Sequence, residues 1–253
     1  KIAIFRDQGV HGALEMAAAF DRAGFESIDI HTSDLIEKRA SLTDFVGLAA
    51  CSGSSFGDAL GAGTGWSQSI LKHLKDDFKN FFERPDTFSL GVSNGAQMLS
   101  RLKGLIPGAS HFPVFTRNLS DSYEARLVSV KIEKTPSILF KGMDSSVLPV
   151  PLSHSEGFAS FTSNEELLSV IESGLVSLRF VDNHHQYTEN YPLNPNGSPQ
   201  GITGLCSQDG RVNILMPHVD RAIKKTQFSW APSDWAEFSP WMQLFNNARH
   251  FVA

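Results

Sequence analysis

The sequence is poor in cysteine, in net charge and in long apolar runs. Only two cysteines, Cys51 and Cys206, occur among 253 residues, and their spacing fits neither a disulfide framework nor a zinc site. A formal net charge of −5 excludes the basic surface that binds phosphate backbones or anionic membranes. No apolar run reaches the roughly 18 residues that span a bilayer. We therefore expect no nucleic-acid partner, no membrane partner and no metal, in a reducing cytoplasmic setting.

Length and composition indicate one domain. With 41% hydrophobic and 19% charged residues, the chain can bury an ordinary core. A strand pattern begins at once at Lys1, where a complete protein would begin with Met, and no signal-peptide pattern precedes it. We therefore expect residues 1–253 to form a single domain, cut from a longer polypeptide.

Strand and helix patterns alternate through the first part of the chain. Strand patterns cover 1–5, 27–31, 45–51 and 88–92, and helical spacing covers 12–24, 65–82 and 96–102. This alternation predicts an α/β fold of the flavodoxin-like type, with a mostly parallel sheet flanked by helices. Short β-rich runs follow at 124–132, 137–140, 147–152, 175–181 and 212–216. These runs predict added antiparallel strands in the second half, and the Pro-, Asn- and Gly-rich segment 191–201 predicts a shaped loop.

The segment Gly91-Val92-Ser93-Asn94-Gly95 lies between a predicted strand and a predicted helix. Small residues on both sides allow a turn so tight that the central Ser93 side chain projects above the sheet. The helix N-terminus that follows offers backbone N–H groups to a developing oxyanion. The pattern predicts a nucleophile elbow, although an ordinary strand-to-helix turn has the same residues.

A histidine follows another predicted strand end. His218 stands in the segment 216–221 (Met-Pro-His-Val-Asp-Arg), and Asp220 is close enough to accept an N–H bond from its imidazole. Because the carboxyl ends of parallel strands meet at one edge of a sheet, we expect His218 to lie within reach of a solvent-accessible Ser93 hydroxyl. The alternative is a surface His-x-Asp pair in a loop.

Several further segments, together with the elbow and the histidine, match the pattern of one protein family. They are Arg6-Asp7-Gln8-Gly9, Ser55-Phe56-Gly57-Asp58, Gly61-Ala62-Gly63, Arg117-Asn118, Tyr123-Glu124-Ala125-Arg126, Ser153-His154-Ser155-Glu156-Gly157, Val181-Asp182-Asn183 and Asn194-Pro195-Asn196-Gly197-Ser198-Pro199. Together these segments resemble the class I glutamine amidotransferase domain of phosphoribosylformylglycinamidine synthase. The resemblance covers nearly the whole chain and implies that residues 1–253 are the C-terminal part of a longer multidomain synthase.

The resemblance implies a domain that hydrolyses glutamine to glutamate and ammonia through a Cys-His-Glu triad, here at Ser93, His218 and Asp220. It implies oxyanion or substrate contacts from Gly53, Asn94, Gly95, Gln97 and His154. The ammonia would pass to synthetase domains of the same polypeptide, where ATP and Mg²⁺ support amidation of formylglycinamide ribonucleotide in purine biosynthesis. No cofactor is expected in this segment itself, which has no Walker-type phosphate loop.

Three departures from the family pattern affect the implied catalytic site. Ser93 stands at the cysteine position, and a hydroxyl is far less acidic than a thiol. Asp220 replaces a glutamate and withdraws the carboxylate by about 1.5 Å, while Val219 replaces a proline that stiffens the turn. Ser52 and Ser54 replace a glycine and an aromatic residue beside the implied oxyanion loop. We therefore expect the glutaminase step to be impaired or lost.

Two other functions remain compatible with the sequence. The first is a serine hydrolase that uses Ser93, His218 and Asp220, although in α/β-hydrolases the acid precedes the histidine along the chain, and here it follows. The second is a non-catalytic structural or interaction module derived from the amidotransferase domain.

Overall fold

The computed structural model describes residues 1–253 and contains eleven strands and seven α-helices. The strands are β1 (Ile2–Arg6), β2 (Ser27–His31), β3 (Gly47–Ala50), β4 (Phe88–Val92), β5 (Val114–Thr116), β6 (Glu124–Ile132), β7 (Val147–His154), β8 (Phe158–Ser160), β9 (Val176–Phe180), β10 (Ile202–Cys206) and β11 (Val212–Leu215). The helices are α1 (Ala13–Arg22), α2 (Thr32–Ile36), α3 (Thr64–His73), α4 (Lys75–Glu83), α5 (Asn94–Arg101), α6 (Asn164–Glu172) and α7 (Met242–Phe251). None of these helices combines the length and the apolar character that crossing a membrane requires.

Nine strands form one sheet in the order β2-β1-β3-β4-β11-β10-β9-β6-β7, and β5 pairs with β8 separately. Strands β2, β1, β3, β4 and β11 run parallel. Strands β10, β9, β6 and β7 extend the sheet by antiparallel pairing. The predicted α/β fold with added antiparallel strands is confirmed. The exception is β11, which was expected among the antiparallel additions but pairs parallel with β4 on one side and antiparallel with β10 on the other.

The sheet separates two hydrophobic clusters, as expected for a sheet with helices on both faces. Along β1, Ile2 and Ile4 belong to one cluster, which includes residues of α1 and α7. Ala3 and Phe5 belong to the other, which includes residues of α3, α4 and α5. Successive side chains of a strand point to opposite faces, so a central strand must be apolar on both. This requirement explains the apolar run in β3 and the mostly apolar, fully buried residues of β4.

Two predicted elements differ in the structure. The single helix predicted over 65–82 is two helices, α3 and α4, which are separated at Leu74, where φ is −132° and ψ is 17°. The buried side chains repeat at helical spacing on both sides of this break, so the pattern did not reveal it. The strand predicted over 137–140 is a turn in which the Ser137 hydroxyl accepts the backbone N–H groups of Leu139 and Phe140. A serine that binds its neighbours' backbone in this way competes with strand pairing.

Candidate active site

Ser93 occupies the turn between β4 and α5 in a rare backbone conformation, with φ 52° and ψ −109°. Such a conformation costs about 1–3 kcal/mol for a residue with a side chain, so the surrounding structure must impose it. The glycines on either side make it feasible. A Cβ at Gly91 would lie 2.7 Å from the Gly95 carbonyl oxygen, and a Cβ at Gly95 would lie 2.0 Å from the Ala50 carbonyl oxygen. The residues at 91–95 therefore form the sharp strand-to-helix elbow that the sequence predicted.

The elbow provides backbone donors, but the Asn94 side chain does not face the site. Asn94 is fully buried; its Oδ1 accepts the Ser55 N–H at 3.1 Å, and its Nδ2 donates to Asp58 Oδ1 at 3.2 Å and to Gln97 Oε1 at 2.9 Å. These contacts show that the side chain holds the 55–58 loop against α5. The backbone N–H groups of Asn94 and Gly95 have no backbone acceptor and remain as helix N-terminal donors.

One cavity of about 150 Å³ brings together five of the eight predicted site residues. These are Ser93, His218, Gly53, Gln97 and His154. Ser93 is 4% exposed as a whole residue, and it lines this cavity. Cavities of this volume hold molecules about as large as benzene. The site is therefore suited to a small molecule.

His218 follows β11, and because β11 pairs parallel with β4, it reaches the same edge of the sheet as Ser93. Its contacts are not those of a general base. His218 Nδ1 lies 3.7 Å from Asp220 Oδ1, beyond hydrogen-bond distance, and neither oxygen of the buried Asp220 has a hydrogen-bond partner. His218 Nε2 lies 3.4 Å from the Ser153 carbonyl oxygen, which can only accept a hydrogen bond. The imidazole is therefore not oriented by its carboxylate.

The loop containing Gly53 packs against the backbone that follows β1. A Cβ at Gly53 would lie 2.5 Å from Val10 Cα, so only glycine fits there. The Ser54 N–H donates to the Gly9 carbonyl at 3.0 Å, whereas the Gly53 N–H has no backbone acceptor. Ser52 is fully buried with no partner for its hydroxyl. The loop thus retains one free N–H donor, that of Gly53. It also contains an unsatisfied hydroxyl at Ser52, where the sequence differs from the family pattern.

His154 is a neutral hydrogen-bond donor in the cavity. Burial, with a smaller contribution from His218, lowers the pKa of His154 to about 3. Asn196 accepts the Ser198 N–H through Oδ1, which directs its Nδ2 donor to His154 Nε2 at 3.1 Å. The ring proton must then be on Nδ1, which is buried and has no partner in the protein.

Gln97 lines the cavity, but both ends of its amide bind within the protein. Its Nε2 donates to the Glu156 carbonyl at 2.6 Å, and its Oε1 accepts from Asn94. The cavity also contains residues that the sequence reasoning did not select, among them His11, Asp58, Glu156 and Arg221. Asp58 and Glu156 stand in segments that carried the family resemblance, and that was the one signal available for them.

Comparison with known proteins identifies the family of the chain. The chain matches CobB/CobQ-like glutamine amidotransferase domains over residues 1–252. It belongs to this family.

Solved amidotransferase structures share the fold of the chain. PurLQS from Thermotoga maritima has a TM-score of 0.74 at 19% identity, over 100% of this chain and 98% of that one. The CTPS glutaminase domain from Trypanosoma brucei, with bound acivicin, has a TM-score of 0.54 at 14% identity, over 98% and 93%. A glutamine amidotransferase from Methylobacillus flagellatus has a TM-score of 0.53 at 11% identity, over 99% and 92%. At these low sequence identities, the similarity shows a shared fold and nothing further.

The buried neutral state of His154 makes the stability of this amidotransferase domain depend on pH. The pKa of His154 is lowered from 6.5 to about 3 in the folded protein. Its contribution to the free energy of unfolding is therefore complete above pH 6.5 and is lost as the pH falls toward 3. The loss is about 1.4 kcal/mol per pH unit, or about 2 kcal/mol at pH 5. His154→Gln keeps an acceptor for Asn196 but does not titrate. We expect the free energy of unfolding to fall by about 2 kcal/mol more for the native protein than for this variant between pH 7.5 and 5.

Denaturant titrations of both proteins at the two pH values measure this difference. Parallel pH profiles would show that His154 is protonated, or exposed, in the folded state.

Proposed function

We propose that this chain is the glutaminase portion of a phosphoribosylformylglycinamidine synthase and that its own hydrolysis of glutamine is impaired or lost. Family membership supports glutamine as the ligand, and the full-length likeness to PurLQS supports this synthase among the amidotransferases. In such an enzyme, synthetase domains with bound ATP and Mg²⁺ would amidate formylglycinamide ribonucleotide. Those domains, and the nucleotide and metal they require, would lie outside this segment.

The observation that carries the proposal is the unformed contact between His218 and Asp220, next to a serine nucleophile position. A working triad requires Nδ1–H held by the carboxylate and a free Nε2 that takes the nucleophile's proton. Here the carboxylate is 3.7 Å from Nδ1, and the other ring nitrogen lies against the Ser153 carbonyl. A serine hydroxyl depends on such a base more than a thiol does, because it does not ionise near neutral pH. Attack on the amide carbon is therefore slow.

The binding features of the cavity are better preserved than the catalytic ones. The backbone N–H groups of Gly53, Asn94 and Gly95 have no backbone acceptors, and the His154 Nδ1–H is unpaired. Donors of this kind stabilise a carbonyl oxygen or the oxyanion formed from it. The domain would thus bind glutamine beside Ser93 and hold its amide, while proton transfer fails.

Activity assays of the assembled synthase with two different nitrogen donors, ammonia and glutamine, test this function. We expect amidation of formylglycinamide ribonucleotide to proceed with ammonium chloride and to be lower by about 10²-fold or more with glutamine, because removal of general-base assistance costs this much. The measurement is the rate of amidine formation at saturating concentrations of each donor. Ser93→Ala is the matched control and should leave the ammonia-dependent rate unchanged.

Three other outcomes would contradict this proposal. Equal rates with glutamine and ammonia would contradict the loss of hydrolysis. No amidation with either donor would favour the non-catalytic module. Covalent labelling of Ser93 by a fluorophosphonate, absent in Ser93→Ala, would favour the serine hydrolase.

A further inference from the structure

Backbone hydrogen bonds join the segment 8–12, which follows β1, to the segment 52–56, here called the Gly53 loop. The Phe56 N–H donates to the Gln8 carbonyl at 2.9 Å, the Ser54 N–H to the Gly9 carbonyl at 3.0 Å, and the His11 and Gly12 N–H groups to the Ser52 carbonyl at 3.1 and 2.9 Å. Val10 and Gly53 form an isolated antiparallel β-bridge within this set. Because Gly53 lines the cavity with a free N–H, the direction of that donor depends on where residues 8–12 lie.

Asp7 fixes the first turn of the segment 8–12. Its carbonyl oxygen accepts the Val10 N–H at 3.0 Å, and its carboxylate Oδ1 accepts the Gln8 N–H at 2.7 Å. Asp7 is 4% exposed, and its Oδ2 is buried without a hydrogen-bond partner. A hydrogen bond to a carboxylate is stronger than one between neutral groups. The carboxylate therefore sets the direction in which the chain leaves β1.

His31 is the basic side chain that faces Asp7. Strands β1 and β2 pair parallel with Arg6 opposite His31, so Asp7 and His31 lie at the same edge of the sheet. His31 Nδ1 accepts the Ser33 N–H at 3.1 Å at the start of α2, which places the proton of a neutral ring on Nε2. Nε2 lies 3.6 Å from Asp7 Oδ1, too far for a good hydrogen bond but close enough for electrostatic attraction. The neighbouring Arg6 is paired with Asp29 instead.

His31 is itself held in place independently of Asp7. The next residue, Thr32, donates its hydroxyl to the Arg6 carbonyl at 3.3 Å and accepts the Trp66 indole N–H at 3.0 Å. Trp66 is fully buried in α3. The imidazole is thus attached to the sheet and to a packed helix, and it provides a fixed point against which the Asp7 carboxylate lies.

We propose that Asp7 is a positioning residue for the backbone N–H of Gly53. Its carboxylate, which lies between the Gln8 N–H and His31, fixes the backbone to which the Gly53 loop is hydrogen-bonded. This inference rests on the proposed function, in which that N–H donates to the amide oxygen of glutamine. Asp7 does not line the cavity and acts only through the loop. The other end of the loop is held by Asn94, which accepts the Ser55 N–H.

Amide hydrogen exchange followed by NMR tests the contact in the chain without any substrate. Asp7→Ala removes both interactions of the carboxylate, whereas Asp7→Asn keeps an acceptor for the Gln8 N–H. Asp144→Ala is the control, because Asp144 is an exposed turn residue remote in sequence from the loop. Far-UV circular dichroism establishes that each variant is folded.

We expect Asp7→Ala to accelerate exchange of the Ser54 and Phe56 amides by about 10-fold or more, as for loss of a hydrogen bond to a charged group. The effect of Asp7→Asn should be smaller, and Asp144→Ala should exchange like the native chain. The Cys51 amide, which donates to the Phe5 carbonyl inside the sheet, should keep its native rate in all variants. This pattern distinguishes positioning of the loop from a general loss of stability.

Kinetics in a chain with a repaired catalytic site test the consequence for the reaction. In the Ser93→Cys/Val219→Pro/Asp220→Glu background, Asp7→Ala should lower kcat for glutamine hydrolysis by about 10-fold and change KM by less than about 3-fold. The reason is that an oxyanion donor stabilises the transition state more than it stabilises the substrate. Asp144→Ala in the same background should leave both constants unchanged.

The possible results separate the role of Asp7 from the proposed function. Native exchange rates at Ser54 and Phe56 in Asp7→Ala would overturn the positioning role. Equal acceleration at these amides and at Cys51 would also overturn it, because Asp7 would then stabilise the fold as a whole. Local acceleration with an unchanged kcat would overturn the link to the reaction. Local acceleration in a repaired chain that neither binds nor hydrolyses glutamine would support the contact of Asp7 with the loop and contradict the proposed function.

Discussion

Ser93→Cys alone is expected to give a chain that a glutamine-directed chloroketone alkylates but that hydrolyses glutamine slowly. The thiol can ionise beside His218, and alkylation requires little more than a thiolate. Turnover also requires His218 to deliver a proton to the leaving ammonia, and His218 is not held by Asp220. We therefore expect Ser93→Cys/Val219→Pro/Asp220→Glu to turn over at least about 10²-fold faster than the single variant.

The physical basis for this difference is the reach of the carboxylate. Glutamate extends the side chain by one C–C bond of about 1.5 Å. The present gap of 3.7 Å between His218 Nδ1 and Asp220 Oδ1 exceeds a good hydrogen bond of about 2.9 Å by less than that length. Proline at 219 restricts the turn that carries the histidine. The two changes together should restore the orientation of the imidazole.

Steady-state ammonia release and mass spectrometry of the alkylated protein measure the two steps separately. The native cysteines should not confuse the labelling, because burial raises the pKa of the Cys206 thiol to about 12 and that of Cys51 well above its usual value. Ser93→Ala/Val219→Pro/Asp220→Glu gives the background rate. Full activity from Ser93→Cys alone would show that the other substitutions are neutral and that the serine is an isolated change.

Gly95→Ala is expected to destabilise the fold by about 3 kcal/mol or more, near the upper end for overpacking of a core. The added Cβ would lie 2.0 Å from the carbonyl oxygen of Ala50, because α5 packs directly on β3. Backbone on both sides prevents relief by a side-chain rotation. The midpoint of thermal unfolding should fall by about 6–12 °C for a chain of this size.

Gly104→Ala is the matched control, since a Cβ at Gly104 meets nothing within 4 Å. It should change the stability by no more than about 0.5 kcal/mol. Thermal unfolding followed by circular dichroism compares the two variants. Equal midpoints for both would mean that α5 can move away from β3 and that the elbow is not under steric constraint.

The candidate pair Ser93 and His218 was easier to predict from the sequence than the residues around it. Ser93 and His218 each follow an apolar run, and runs that become neighbouring parallel strands bring their ends to one edge. The sequence therefore predicted that both residues lie at strand ends, whereas their meeting in one cavity depends on the pairing of β11 with β4. Asp58 and Glu156 lie in loops, whose positions depend on contacts such as Asn94 to Ser55 and Ala62 to Glu156. No local pattern contains those contacts.

The sequence by itself determined the alternation of strands and helices, the elbow at Ser93 and the departures at positions 93, 219 and 220, because each depends on residues adjacent along the chain. Only the tertiary structure decided that β11 lies beside β4, that Asp220 falls short of His218, and that His154 is neutral with an unpaired Nδ1–H. These properties depend on distance and on exclusion of water by groups remote in sequence. Hydrogen bonds vary over tenths of an ångström, a scale that residue spacing along the chain does not specify.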